Sequence, residues 1–222
     1  MRPVSIKAVV FDLDGVLLDS EVAWNDAKRA LVDEIGGRWR DDAPRAMMGM
    51  SSPEWSRYLH EELGVPLAPH AISDAVVDRL AARYRERLPL IDGAREAVER
   101  LRARWPLALA SSSNRPIIDL FLHGSGLGRH FGVTLSSEEV ARGKPAPDVY
   151  LAAAEALEAE PASVVAIEDS DNGILSGRAA GMGVIAIPNP DYPPRAEALE
   201  QADVRLDSLA ELTPAVVEAA ER

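Results

Sequence analysis

The chain has no cysteine, which excludes disulfides, thiolate metal sites and cysteine nucleophiles. Lysine is confined to Lys7, Lys28 and Lys144, and arginine carries the rest of the fixed positive charge, so a lysine in a loop is conspicuous. Positive charge is short overall: 24 basic residues face 36 acidic ones, a net charge of −12 at pH 7. Such a surface repels nucleic acid and anionic membranes, so neither is expected as a partner. It also repels an anionic small molecule, which could bind only where positive charge is concentrated locally. None of the four histidines has a sequence neighbour that suggests catalysis. No stretch is long and apolar enough to span a bilayer, and the short apolar run near the N-terminus leads into acids rather than a cleavage site. A cytoplasmic protein, monomeric, is the expectation. There is no internal repeat and no low-complexity segment. With 47% hydrophobic residues among 222, the chain can bury one large core, or a core with a modest insertion.

The most informative stretch is Phe11-Asp12-Leu13-Asp14-Gly15-Val16-Leu17-Leu18-Asp19-Ser20-Glu21. It follows Ile6-Lys7-Ala8-Val9-Val10, whose β-branched apolar run reads as a buried strand. The acids thus fall at the C-terminal end of a strand, where open parallel sheets place ligand sites. Asp12 and Asp14 are two residues apart and share one side of an extended chain. Gly15 then permits a sharp turn. Two carboxylates on one side suit a hard cation, or a nucleophile with an acid/base partner. A calcium loop requires a ligand at position 5 and glycine at position 6, but counting from Asp12 these positions hold Val16 and Leu17. A solvated turn is the bland alternative.

Between Ser20 and Leu88 every pattern is helical. Ser20 is placed to cap a helix to about Ile35 with the stripe Trp24, Ala27, Leu31 and Ile35. A short piece through Met48 breaks at Gly49. Ser52-Pro53-Glu54 opens another helix, and Ile72, Val76, Leu80 and Tyr84 mark a third long one. From Asp92 onward helices alternate with apolar strands at residues 107–110, 133–135, 164–167, 184–187 and 203–206, which implies an α/β architecture with a parallel sheet covered by helices. Residues 1–19 and 90–222 are therefore expected to form the core domain and residues 20–89 a helical domain inserted after the first strand, with hinges near Asp19–Glu21 and Leu88–Asp92.

Three further segments sit after strands. Ala110-Ser111-Ser112-Ser113-Asn114 offers hydroxyls and free backbone N–H groups at a helix start, suited to an anion or simply to N-capping by Ser113 or Asn114. Gly143-Lys144-Pro145-Ala146-Pro147-Asp148 holds a lysine in a proline-stiffened loop, otherwise an ordinary surface lysine. Ile167-Glu168-Asp169-Ser170-Asp171-Asn172-Gly173 places acids at a strand end. Asp171 there reads as a first-turn helix acid, and Gly173 allows close backbone approach.

Taken in order, these four segments resemble the motifs of the haloacid dehalogenase superfamily, in its branch of small phosphatases and sugar-phosphate mutases with a small helical cap. The resemblance spans essentially the whole chain. It implies a Rossmann-like core and a Mg²⁺-dependent phosphatase acting on a small phosphorylated metabolite, such as a sugar phosphate, through an aspartyl-phosphate. In that family Asp12 would be the nucleophile and Asp14 the general acid/base. Ser111, with Ser112, and Lys144 would bind the phosphoryl group. Mg²⁺ would be held by Asp12, the Asp14 backbone carbonyl, Asp169, and Glu168 directly or through water. Four ionised acids against one divalent cation and one lysine leave an excess negative charge, which a proton on Asp14 removes. Dehalogenating and phosphonate-cleaving relatives lack the second acid, and the latter use a cap lysine, whereas Lys28 beside Arg29 reads as part of a solvated helix face. The related mutases keep a histidine where this chain has Trp24, and an arginine after a Gly-x-Ser step where Gly49-Met50-Ser51 is followed by Ser52. Hydrolysis is therefore expected over the alternative, a β-phosphoglucomutase-type mutase. A non-catalytic phosphometabolite-binding protein is the remaining reading, and the presence of Asp12, Asp14, Lys144 and Asp169 counts against it.

Overall fold

A computed structural model describes residues 5–48, 50–190 and 192–220. The expected break at Gly49 lies outside the described residues. Six parallel strands form one sheet in the order β3-β2-β1-β4-β5-β6: β1 (Ala8–Phe11), β2 (Leu107–Ser111), β3 (Phe131–Ser136), β4 (Val164–Glu168), β5 (Gly183–Ala186) and β6 (Val204–Arg205). Their two-residue alternation sorts side chains onto two buried faces. Val9, Phe11, Leu107, Leu109, Val165 and Ile167 fill one face. The other carries Ala8, Val10, Ala108, Ala110, Val164 and Ala166, most of them small. Small residues let helix α7 (Asp148–Ala156) lie close to the sheet, with Val149, Tyr150, Ala153 and Ala154 buried against it.

Helices α1 (Glu21–Ile35), α2 (Ala43–Met47), α3 (Ser52–Glu61) and α4 (Pro69–Glu86) come between β1 and α5 (Ala94–Arg102), which precedes β2. Leu31, Leu59, Ile72, Val76 and Leu80 are almost wholly buried among these helices. Burying each such side chain contributes about 1.5–3 kcal/mol. The chain leaves and re-enters the sheet layer side by side. Asp19 N–H donates to the Pro89 carbonyl at 2.9 Å and Ile91 N–H to that of Leu17 at 3.0 Å, and Leu18 and Leu90 form an antiparallel bridge.

The remaining helices are α6 (Arg115–Ser125), α8 (Asp171–Ala179), α9 (Ala196–Leu199) and α10 (Pro214–Ala219). The last has no counterpart in the sequence reading. Ser20 does not cap α1: its backbone is already helical (φ −104°, ψ −19°), and its side chain makes no cap bond. The capping box at the start of α3 instead comes from Ser51 and Glu54.

Candidate active site

Register builds the site. Phe11 is level with Leu109 on one side and Ile167 on the other, so Asp12, Ala110 and Glu168 come level at the C-terminal edge of three adjacent strands. Asp12 N–H donates to the Ile167 carbonyl at 3.0 Å and holds the carboxylate at the sheet edge. Gly15, at φ 79°, then turns the chain beneath Asp169, whose carboxylate fills the space a Cβ would need. Gly173 does the same for Glu168: a Cβ there would overlap its carboxyl group. Both glycines are cradles for acids.

Lys144 is 4% exposed and sits among these acids. Its Nζ donates to Asp12 Oδ1 at 2.6 Å, Glu168 Oε1 at 2.6 Å and the Ala110 carbonyl at 3.0 Å. Burial alone would lower the ammonium's pKa, but Asp12 and Glu168 outweigh it and hold the group above its ordinary value. The loop lysine of the sequence is thus a buried counter-ion, reached through a cis Lys144–Pro145 peptide. Tyr150 on α7 completes the cluster by donating to Glu168 Oε1 at 2.7 Å, with its ring 4.9 Å from the ammonium. The sequence carries no motif for Tyr150; only its helical position after the Lys144 loop could have suggested it.

Asp12, Glu168 and Asp169 offer carboxylate oxygens within 4.8 Å of one another. Burial is the first cause that raises Asp12 to about 8; Lys144 opposes it, and Glu168 and Asp14 add to it. Asp169 is raised well above the carboxylate range by burial and then by Glu168 and Asp12. Three buried acids share one lysine, so the cluster is two positive charges short when ionised. A divalent hard cation fits that deficit and that oxygen-only donor set.

Asp14 points elsewhere. Its Oδ1 accepts from Trp24 Nε1 at 3.1 Å, and its Oδ2 from Ser113 Oγ at 2.6 Å and Ser111 Oγ at 3.2 Å. The carboxylate is therefore apart from the three-acid cluster, although Asp14 lines the same cavity as Asp12, Lys144 and Asp169. Ser111 is fully buried, with its hydroxyl held by Asp14 and by the Ser113 N–H at 2.9 Å. Ser112 lines both halves of the cleft. Neither alternative for capping α6 holds. Ser113 serves Asp14, while Asn114 accepts from Ser52 Oγ at 2.7 Å and donates to Glu138 at 2.8 Å, linking the inserted helices to the sheet domain. Asp171 is a first-turn acid as read, and it accepts from the Arg195 backbone and guanidinium.

Lys28 overturns the sequence reading. It is 6% exposed rather than solvated. Its ammonium lies 5.4 Å from the Trp24 ring centroid and 5.0 Å from that of Trp55. The neighbouring Arg29 suggested a polar face, but Lys28 is four residues after Trp24 and therefore lies on the same side of α1. Two small cavities meet at this site. One, about 50 Å³, contains Asp12, Lys144, Asp169, Ser170 and Asn172. The other, about 70 Å³, contains Trp24, Asn25, Lys28, Met47, Met50 and Trp55. Asp14, Glu21, Met48 and Ser112 border both. Among the described residues no helix is long and apolar enough to cross a membrane.

A model of haloacid dehalogenase-like hydrolases matches residues 6–181. Hexitol phosphatase B of Escherichia coli (strain K12) is 33% identical over 219 residues, covering 95% of this chain and 96% of that protein. The bifunctional riboflavin kinase/FMN phosphatase of Arabidopsis thaliana is 30% identical over 206 residues; the match covers 92% of this chain and 54% of that longer protein. The crystal structure of CbbY from Rhodobacter sphaeroides in complex with phosphate superposes with a TM-score of 0.86 at 30% identity, covering 96% of this chain and 99% of that one.

Proposed function

This chain belongs to the haloacid dehalogenase-like hydrolase family, and we propose that it is a Mg²⁺-dependent phosphatase of a small phosphorylated metabolite, a sugar phosphate or polyol phosphate. The observation that carries this reading is the buried Asp12–Lys144–Glu168–Asp169 cluster opening onto the cavity that Asp14 borders. Similarity to hexitol phosphatase B supports the substrate class.

In this reading Asp12, Glu168 and Asp169, with the Asp14 backbone carbonyl, hold the cation, which neutralises charge on the phosphoryl oxygens when bound. Lys144 fixes Asp12 Oδ1, and Oδ2 attacks phosphorus to form an aspartyl-phosphate as the ester bond breaks. Ser111, Ser112 and Lys144 steady the phosphoryl oxygens. Trp24 can only donate, so Asp14 Oδ1 is fixed as an acceptor. The proton for the leaving alcohol therefore belongs on Oδ2, where the Ser111 and Ser113 hydroxyls can turn to accept as well as donate. Asp14 later takes a proton from the water that opens the acyl phosphate. Helices α1–α4 act as a cap that closes over the cleft and bends at the paired crossings near Asp19 and Pro89.

The mutase alternative needs a second cationic grip on a bisphosphate. Ser52, standing where the mutases keep arginine, has its hydroxyl engaged by Asn114, and Trp24 supplies an indole in place of histidine. The deciding experiment pairs phosphate release from sugar and polyol phosphates with interconversion of β-glucose 1-phosphate and glucose 6-phosphate. Phosphate release without a bisphosphate activator is expected. Rapid bisphosphate-dependent interconversion with little phosphate released would overturn the assignment.

A further inference from the structure

Lys28 is a buried cation that the phosphoryl chemistry does not use. Its side chain is 6% exposed, yet among the described residues its ammonium has no acceptor within hydrogen-bond or ion-pair distance. The ammonium is not sealed off but borders the cavity, with the rings of Trp24 and Trp55 beside it. It lines the cavity that Asp14, Ser112 and Ser113 also border.

Glu21 sits on the same side of α1, one turn before Trp24, and borders the same cavity. Glu21 and Lys28 do not form an ion pair, so a gap separates an acceptor from a donor. Burial raises the Glu21 carboxyl, with Lys28 opposing, and burial lowers Lys28 to about 8, with Glu21 and Asp14 opposing. Glu21 and Lys28 offset each other, and Asp14 borders the same cavity as a further acid. A second phosphate or a carboxylate would gain Lys28 but meet Glu21 and Asp14. A hydroxyl satisfies both Glu21 and Lys28, donating to the carboxylate and accepting from the ammonium.

We propose that Lys28 and Glu21 are the specificity-determining pair of the leaving-group pocket, and that they select an uncharged, hydroxyl-rich leaving group by bridging through its hydroxyls. This rests on the phosphatase reading above, and it adds the recognition of the part of the substrate that departs. The Trp24 and Trp55 rings give the pocket apolar walls against which the C–H faces of such a group pack.

The test uses the full chain with Mg²⁺. Wild type and Lys28→Met are compared on a hexitol 6-phosphate and on an aryl phosphate, which has no hydroxyl to offer. A charge-assisted hydrogen bond supports an expectation that Lys28→Met lowers kcat/KM for the hexitol phosphate about ten- to a hundredfold more than for the aryl phosphate, chiefly through KM. Lys28→Arg is expected to recover part of the preference. Binding is read separately in the Asp12→Asn variant by the change in tryptophan fluorescence, to which Trp24 and Trp55 in the pocket contribute. There the hexitol phosphate should saturate the signal, and adding Lys28→Met should weaken it by a similar factor. Equal losses on both esters would overturn the assignment, as would tighter binding of a hexitol bisphosphate than of the monophosphate. Failure of wild type to release phosphate from either ester would defeat the phosphatase reading. An unchanged fluorescence titration in Lys28→Met would defeat the pair alone.

Discussion

Replacing Lys144 with methionine separates its electrostatic role from its packing role. The side chains are similar in length, so the stem still fills its channel beside Tyr150, while the cation facing Asp12 and Glu168 disappears. Removing one partner from a buried ion pair typically costs about 3–5 kcal/mol, because the charge left behind is uncompensated. In a chain of this size that corresponds to a fall of about 6–20 °C in Tm. The loss must depend on pH. Lys144 is what lowers Asp12 against the upward pull of burial, so without it that carboxyl rises further. In the unfolded chain Asp12 ionises near pH 4, and in the folded wild type without a cation it keeps its proton up to about pH 8, so both proteins lose the same stability from this group over that range. The deficit relative to wild type therefore widens as pH rises through about 8, where the wild-type carboxyl ionises and the variant's does not. The assay is urea unfolding in chelator at pH 6.5 and pH 9.5. A second readout follows from the charge count. The ionised cluster of Asp12, Glu168 and Asp169 loses the one cation that pairs with it among the described residues, so Mg²⁺ should bind the variant more tightly, even though turnover falls about a thousandfold for want of phosphoryl neutralisation. An equal loss of stability at both pH values, with unchanged Mg²⁺ affinity, would refute the charge-based account and leave packing as the cause.

Asp12→Asn should abolish turnover, whereas Asp14→Asn should slow alkyl phosphates about 10²–10⁴-fold and aryl phosphates far less, since an aryl oxide scarcely needs a proton; steady-state rates on both ester types check this. Because Asp12 is raised to about 8 without a cation, Mg²⁺ competes with a proton below that pH. Its affinity should climb as pH rises from 6 to 8 and its binding should release protons, as calorimetry in buffers of different ionisation enthalpy would show. Gly173→Ala should displace the Glu168 carboxyl, since a Cβ there overlaps it, and should weaken Mg²⁺ binding about tenfold or more in a direct titration.

The sheet was legible because its strands are short apolar runs between helical segments, and β1, β2 and β4 are followed at once by acids or hydroxyls. The acids of the cluster were legible for the same reason: strand ends in a parallel sheet converge, so linear motifs become neighbours. What escaped was set by side-chain direction across elements. Lys28 looks solvated beside Arg29, and only the packing of α1 and α3 brings Trp24 and Trp55 around it. Ser113 looks like a helix cap until β1 and β2 are placed in register and Asp14 comes within reach. Tyr150 is an ordinary helix residue until small side chains on the sheet admit α7.

The paired crossings at Leu17–Asp19 and Pro89–Ile91 have a consequence for how this architecture can vary. Because departure and return are hydrogen-bonded to each other, the sheet domain meets the four inserted helices as a loop whose ends are already joined. The closure entropy of such an excursion grows only slowly with its length, by about 0.6 kcal/mol per doubling. Helices can thus be lengthened or exchanged between Ser20 and Leu88 at small entropic cost. A transplanted insert from a relative has to match the three residues on each side of the junction and also the contacts of Trp24 with Asp14 and of Ser52 with Asn114.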